Sequence, residues 1–569
     1  MLVKLRQNWL AAALVTAGLA LRVLAVVSYR PVLFYVDTIR YLSDSGGNDP
    51  VGYRLPLRAI LAVGNFNLLA IIQHLLGLAM AITIYLVLVR RGTKHWLAAL
   101  AIAPVLLDAY QIQMEQLVLP DVWFEALIVA GIAVLLAGTP PARPPALKAV
   151  VVGGLILGVS VTFRQVGEIL ILPAVAYLLA VSGGWRKLLS RTAALLVAFV
   201  VPILAYMTGS YLLVGHFYLS HSGVTTTYGR VASAADCATL NVPPVERGLC
   251  PTRSQQALGP DWLEHSPRSP IRPYYAGPLS ARASALVARF NNAVLSQQPT
   301  RVLGSYLSDV GKIFALSKVT SPGVTPVSRW QFQTSYPYLS PHATPAQVLP
   351  ATTRYGGGKP AVWRPGATAL RDYQLGGGYT PGPLLALCAL AGLAGSTAAV
   401  IARYRELRSR PHAPPSNNQP ALATITNQTT GTPDAEPLLA APAPANDHPA
   451  SNPAPPDTST NNPNPTDPHR GTPQPPGSAP GKGRPARHSS GGDVAADPAA
   501  GSESGWRELA LGCLLFFGCG AALLLMSDVF EFSWRYQLPA LVTLPPAGAA
   551  VVAGIVRRRA TGPAGQPED

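Results

Sequence analysis

The chain has 569 residues, of which 49% are hydrophobic and only 13% are charged. Soluble domains carry about 25% charged residues, and a charge at the bilayer centre costs roughly 2.5–3.5 kcal/mol on insertion scales, so the deficit argues against a soluble protein and for lipid-facing helices. The formal net charge of +16 would suggest nucleic acid in a soluble chain. Here the Lys and Arg residues sit mainly between apolar runs, where they orient helices against anionic lipid, and no nucleic-acid partner is expected.

A bilayer core about 30 Å thick needs about 20 apolar residues per helix. In chain order the apolar runs predict spans over 9–28, 67–89, 95–112, 121–138, 148–163, 166–182, 192–214, 379–402, 508–527 and 537–556. The first run lacks a small-residue cleavage site and reads as a retained helix. Lys4 and Arg6 precede the first span, and Arg90, Arg91 and Lys94 follow the second. Arg143 and Lys148 follow the fourth, and Arg186, Lys187 and Arg191 the sixth. Arg403, Arg405 and Arg408 follow the eighth, and Arg557 to Arg559 the tenth. Every second gap is basic, the positive-inside pattern for an all-α, multi-pass cell-membrane protein of ten helices with both termini cytoplasmic.

The organisation that follows has seven helices in 1–214, an extracytoplasmic domain in 215–378 and the eighth helix in 379–402. A linker (403–506), the last two helices (507–557) and a tail (558–569) complete it. The outer segment suggests helices near Leu279 to Leu295 and Arg301 to Ala315. Its Cys237 and Cys250 are candidates for one disulfide if that side is oxidising. Cys388, Cys513 and Cys519 lie in apolar runs as small packers. Between Tyr404 and Trp506 there is no aromatic residue but Phe-, Tyr- and Trp-free Pro, Asn and Thr tracts. Such a stretch buries too little apolar surface to offset its ordering entropy, so disorder is expected there.

Polar residues without a structural reason collect in the outer gaps 29–66, 113–120, 164–165 and 528–536. The first loop (29–66) reads PVLFYVDTIRYLSDSGGNDPVGYRLPLRAIL from Pro31. A helix from Asp37 would place Asp37, Arg40, Tyr41 and Asp44 on one stripe, with Ile39 and Leu42 toward the membrane boundary, as a short interfacial helix. Arg54 and Arg58, four apart, would share a face. Carboxylates beside guanidinium groups at the headgroup level suit chemistry on a lipid phosphate. Arginine binds a phosphate and stabilises it as a leaving group, and a carboxylate serves as general base toward a hydroxyl. The bland reading makes Asp37 a helix cap with a surface ion pair to Arg40.

Glu115 and Asp121 flank the second outer loop. Capping accounts for Asp121 after Pro120, whereas Glu115 has no such role. At the level of Asp37, the two acids would position a hydroxyl or hold a divalent ion; no cofactor motif and no zinc spacing is present. At TFRQVGEIL, Arg164 either pairs with Glu168 or faces an anionic ligand. Arg535, before Tyr536 in DVFEFSWRYQLP, is a further phosphate candidate, or snorkels to headgroups. Gln73 and His74 read as interhelical hydrogen-bonding groups, and Arg22 is the main charge near a helix centre.

The acidic first loop, the Arg-Gln-x-Gly junction and the late RYQLPAL segment, in that order, resemble integral membrane glycosyltransferases of the GT-C superfamily. In style they are similar to bacterial polyprenyl-phosphate-dependent enzymes related to protein O-mannosyltransferases and aminoarabinose transferases. The resemblance runs over 1–215 and 379–556. It implies an inverting hexosyl or pentosyl transfer from a polyprenyl-phosphate sugar to a hydroxyl on a glycan, lipid or protein acceptor at the outer face. Asp37 would then be the general base, with Glu115 and Asp121 as further catalytic acids. Arg40, Arg54, Arg58, Arg164 and Arg535 would hold the donor phosphate. Thr38 stands where O-mannosyltransferases pair Asp with Glu, and the insertion before the ninth helix is unusual. Two readings compete: a lipid-linked sugar transporter or flippase, against which stand the nearly charge-free helix centres and lack of repeats, and a non-catalytic cell-envelope scaffold.

Overall fold

The computed structural model describes residues 2–43, 52–137, 144–182, 184–215, 217–220, 223–274, 280–321, 323–340, 342–408, 498–529 and 532–560. Asp44, Arg143 and nearly all of the expected disordered linker lie outside the described residues. The first helix, α1 (Leu2–Ser28), runs into a two-residue strand, β1 (Tyr29–Arg30), and two helices occupy the loop beyond it, α2 (Thr38–Leu42) and α3 (Arg54–Val63). There follow α4 (Phe66–Arg90), α5 (His95–Leu107), α6 (Ala109–Gln116), α7 (Asp121–Ala137), α8 (Leu147–Phe163), α9 (Ile171–Val181) and α10 (Trp185–Val214), with a 3-10 turn at Gln165–Leu170 before α9.

The next segment is also helical. It comprises α11 (Gly223–Ala234), the single turns α12 (Pro244–Arg247) and α13 (Arg253–Gln256), α14 (Gly259–His265), α15 (Ala281–Gln297), α16 (Pro299–Lys312) and α17 (Pro345–Tyr355). A strand, β2 (Ala361–Val362), and α18 (Arg364–Leu375) end it. Three long helices complete the chain: α19 (Gly382–Arg408), α20 (Pro498–Asp528) and α21 (Leu538–Ala560).

Among the described residues six helices are long and apolar enough to cross a membrane: Gln7–Ser28, Phe66–Arg90, Trp185–Leu213, Gly382–Arg405, Glu508–Asp528 and Trp534–Arg558. This is a multi-pass membrane protein. A seventh span results if α5 and α6, bent by 50° at their junction, count as one. The bend has a local cause. Pro104 removes a backbone donor inside α5, and Asp108 is extended and caps α6 by accepting from the Tyr110 N–H at 2.9 Å. The other three expected spans correspond to α7, α8 and the Gln165–Val181 pair of helices. Each has 17 residues among those described, about 25 Å of helix at 1.5 Å per residue and short of a 30 Å core.

Small residues set the closest helix contacts. A Cβ added at Gly158 of α8 would lie 2.2 Å from the Phe199 carbonyl oxygen of α10. Deeper in the bundle a buried charge of α1 is paired. Arg22 is 1% exposed and bonds Glu115 of α6 at 2.7 Å and the Leu106 and Val105 carbonyls at 2.8 and 2.9 Å. A second, smaller core forms among α11, α14 and α15 around Tyr228, Val287 and Phe290, beside a disulfide joining Cys237 and Cys250.

The first loop departs from the expected stripe. α2 has five residues and stops at Ser43, whose φ of −81° and ψ of 159° are extended. Tyr41 turns inward and packs edge-on against Tyr53 at 5.3 Å. The longer amphipathic helix is α3, which buries Leu57 and Ile60 while Leu55 and Val63 are 77% and 84% exposed.

Candidate active site

Asp37 is held in place by main-chain pairing that begins at the end of α1. Arg30 and Tyr29 pair antiparallel with Ala361 and Val362, which fixes the exit of α1. The chain then runs beside the α6–α7 connection: Leu33 N–H donates to the Gln116 carbonyl at 2.9 Å, and Val118 N–H to the Leu33 carbonyl at 3.0 Å. Thr38 Oγ1 donates to the Val118 carbonyl at 3.0 Å and accepts from the Tyr35 N–H at 2.9 Å. Asp37, at the start of α2, is thereby brought to the same end of the molecule as Asp121, the first residue of α7.

The Asp37 side chain makes no cap hydrogen bond. One carboxylate oxygen accepts from Arg40 Nη2, and the other lies 3.1 Å from Arg535 Nη1. The Asp37 and Arg535 side chains are 13% and 15% exposed. Burial alone would raise the Asp37 carboxyl, but the Arg40 and Arg535 guanidinium groups outweigh it and hold the carboxyl well below the usual carboxylate range.

Arg535 sits on a 3-10 turn, Trp534–Gln537, at the entrance to α21. Its guanidinium carbon lies 5.6, 5.5 and 5.2 Å from the ring centres of Tyr35, Trp330 and Tyr536, geometry that suits cation–π attraction. The Tyr536 ring also faces Arg164, at 5.1 Å. Arg164 is extended at the break after α8 and pairs with Asp121; no ion pair to Glu168 forms among the described residues. Two carboxylate–guanidinium pairs, Asp37–Arg535 and Asp121–Arg164, therefore flank one tyrosine ring. Arg54 Nη2 reaches the Arg40 carbonyl at 2.7 Å, which adds a fourth arginine at the edge. Arg58 points out from α3 and is exposed.

Glu115 is placed elsewhere. It is fully buried, and its second oxygen lies 2.9 Å from His74 Nδ1. His74 Nε2 lies 2.8 Å from Gln116 Oε1, and Gln73 Nε2 donates to the Glu115 and Leu117 carbonyls at 2.8 Å each. This is an interhelical network around Arg22.

Asp121 Oδ2 and Trp330 Nε1, buried beside the paired charges, have no hydrogen-bond partner among the described residues. A buried acceptor and a buried donor without partners are suited to meet a polar ligand group. The sequence offered no route to Trp330, which sits in a segment without readable periodicity. The same holds for Lys318, whose Nζ lies 5.0, 5.6 and 4.8 Å from the rings of Tyr110, Tyr379 and Trp534 and bonds Gln537. Burial pushes this ammonium down to about 8 against the pull of Asp108. Among the described residues no group of three His, Cys, Asp or Glu side chains is placed to hold a metal ion.

No family model matches the sequence, and no curated protein matches it. Among solved structures, the chain is similar to the S. cerevisiae protein O-mannosyltransferase complex bound to the sugar donor, with 16% identity and a TM-score of 0.29 over 39% of this chain and 36% of that one.

Proposed function

We propose that the protein is a membrane glycosyltransferase that moves a sugar from a polyprenyl-phosphate donor to an acceptor hydroxyl at the outer face of the membrane. The observation that carries the reading is the Asp37–Arg535 pair, 3.1 Å apart, set across Tyr536 from Asp121–Arg164. In this reading the protein crosses the membrane ten times with both termini cytoplasmic, and the paired charges face outward at the headgroup level. The basic gaps on the opposite side support that orientation.

The chemistry asks for two things at one place. A phosphate arriving among Arg535, Arg164 and Arg40 competes with the carboxylates for the guanidinium groups, and bidentate phosphate contacts are strong. As Arg535 and Arg40 turn to the phosphate, Asp37 loses the charges that depress it and becomes a better base. The acceptor oxygen attacks the anomeric carbon as its proton passes to Asp37. The bond from that carbon to the phosphate oxygen breaks, and polyprenyl phosphate leaves with its new charge held by arginine. Attack opposite the leaving phosphate inverts the configuration. Asp121, with one oxygen unmatched, orients the acceptor or the sugar; Arg54 supports the Arg40 loop. Glu115 belongs to the fold-stabilising network in this scheme, and Arg58 to the headgroup contacts of α3.

The test is Asp37→Asn in membranes supplied with polyprenyl-phosphate-linked hexose or pentose. The variant should accumulate to the wild-type level and lose transfer by about 100-fold or more, the scale of a general-base deletion. Undiminished transfer by Asp37→Asn removes Asp37 from the chemistry.

A further inference from the structure

The α11–α16 segment is fastened to the end of a membrane-crossing helix by a buried arginine. Arg230 of α11 is 3% exposed. It donates to the Asp528 and Val529 carbonyls at 2.9 and 3.1 Å, satisfying carbonyls that the end of α20 leaves without helical partners. The same guanidinium bonds Asp309 at 2.6 Å and Ser305 Oγ at 3.0 Å, both on α16. Tyr306 of α16 adds a bond to the Leu525 carbonyl of α20 at 2.8 Å. Leu525 lies three residues before the last residue of α20, a rise of about 4.5 Å, so α16 crosses α20 within one turn of its end.

The other face of α16 carries one charge, Arg301 in its first turn, which lies 3.9 Å from Asp236. Thr300, Leu303, Gly304, Leu307, Ser308 and Gly311 are exposed along it, and Leu303 and Leu307 are 52% and 54% exposed. Such an edge in water is unfavourable by about 25 cal/mol per Å² of apolar surface. Beneath Tyr306 lies a cavity of about 480 Å³ whose other walls are hydrocarbon from α9 and α20, among them Leu172, Ala176, Ala522 and Met526. The apolar surface of the two bundle helices therefore continues onto the underside of the segment.

We propose that α16 is an interfacial helix whose Leu303–Leu307 edge rests in the bilayer surface, with the lipid acyl chains as its partner. The inference depends on α20 crossing the membrane and not on the transfer chemistry. A second copy of the chain or another protein would instead bury this edge against side chains, and the test separates these.

The full chain, with Cys388, Cys513 and Cys519 replaced by alanine, is labelled with a nitroxide at Leu307→Cys and reconstituted in phosphatidylcholine vesicles. Collision with oxygen, which concentrates in hydrocarbon, is compared with collision with a water-soluble nickel chelate. The ratio should be several-fold above that of the label free in buffer. A ratio equal to that in buffer places the edge in water and overturns the proposal. Exclusion of both probes means a protein covers it, which also overturns the proposal. Leu303→Cys, one turn away, repeats the measurement should Leu307→Cys fail to fold.

Discussion

Asp37 and Lys318 illustrate opposite balances of burial against charge. Around Asp37 two guanidinium groups win, and the carboxylate stays ionised. Around Lys318 the rings supply attraction but no full countercharge in contact, and burial wins, drawing the ammonium from its ordinary 10.5 to about 8. Between those values the unfolded chain holds a proton at Lys318 that the folded chain has released. Stability from this group is therefore complete above pH 10.5 and declines as pH falls to about 8. Lys318→Met should lose that slope: the difference in unfolding midpoint between variant and wild type is expected to change between pH 8 and 10.5 and to be flat below. An equal slope in both proteins would mean that Lys318 titrates normally. The arginines and acids at these positions were readable from the sequence because charge is rare next to apolar runs. Trp330 and Lys318 were not, because a residue in a long polar loop gives no hint of what it will face.

At the level of elements, Arg22, Glu115 and His74 tie α1, α4 and α6 together. Gly77 leaves the room for them, since a Cβ there would lie 2.1 Å from Glu115 Oε1. Removing one member strands a buried charge. Glu115→Ala should cost about 3–5 kcal/mol, seen as a lowered unfolding midpoint in detergent and a lower yield. A Glu115→Ala protein of full stability that had lost only sugar transfer would assign Glu115 to the chemistry instead. The sequence placed Glu115 with Asp37 by counting residues to the ends of helices. It could not foresee that Pro104 and Asp108 bend the third apolar run, which turns Glu115 into the bundle. Arg230 is the corresponding joint on the other side. Arg230→Ala leaves Asp309 with Lys312 alone and uncaps α20, so a loss on the order of 3 kcal/mol is expected. Protease cutting in 223–312 at concentrations that leave the wild type intact would report it.

For the whole molecule, the proposed orientation has a direct consequence. An impermeant maleimide applied to intact cells should modify a cysteine placed at exposed Arg253 of α13, and should not reach one placed at Tyr404 of α19 until the membrane is opened. The reverse pattern would put Asp37 in the cytosol and end the proposed chemistry. Hydropathy made the long apolar helices legible, since lipid penalises charge wherever it falls. Helices of 17 residues remained ambiguous, because their length lies between a core helix and a full crossing.

The Asp37–Arg535 bond joins residues 498 positions apart. Ribosomes deliver Asp37 among the first residues and its partner only after nearly all of the chain has been made. The Asp37 carboxylate thus spends synthesis without the guanidinium that completes its surroundings. Under the proposed chemistry, a chain terminated just before Arg535 would hold most of the bundle yet transfer no sugar, so activity would wait on the last stretch of synthesis.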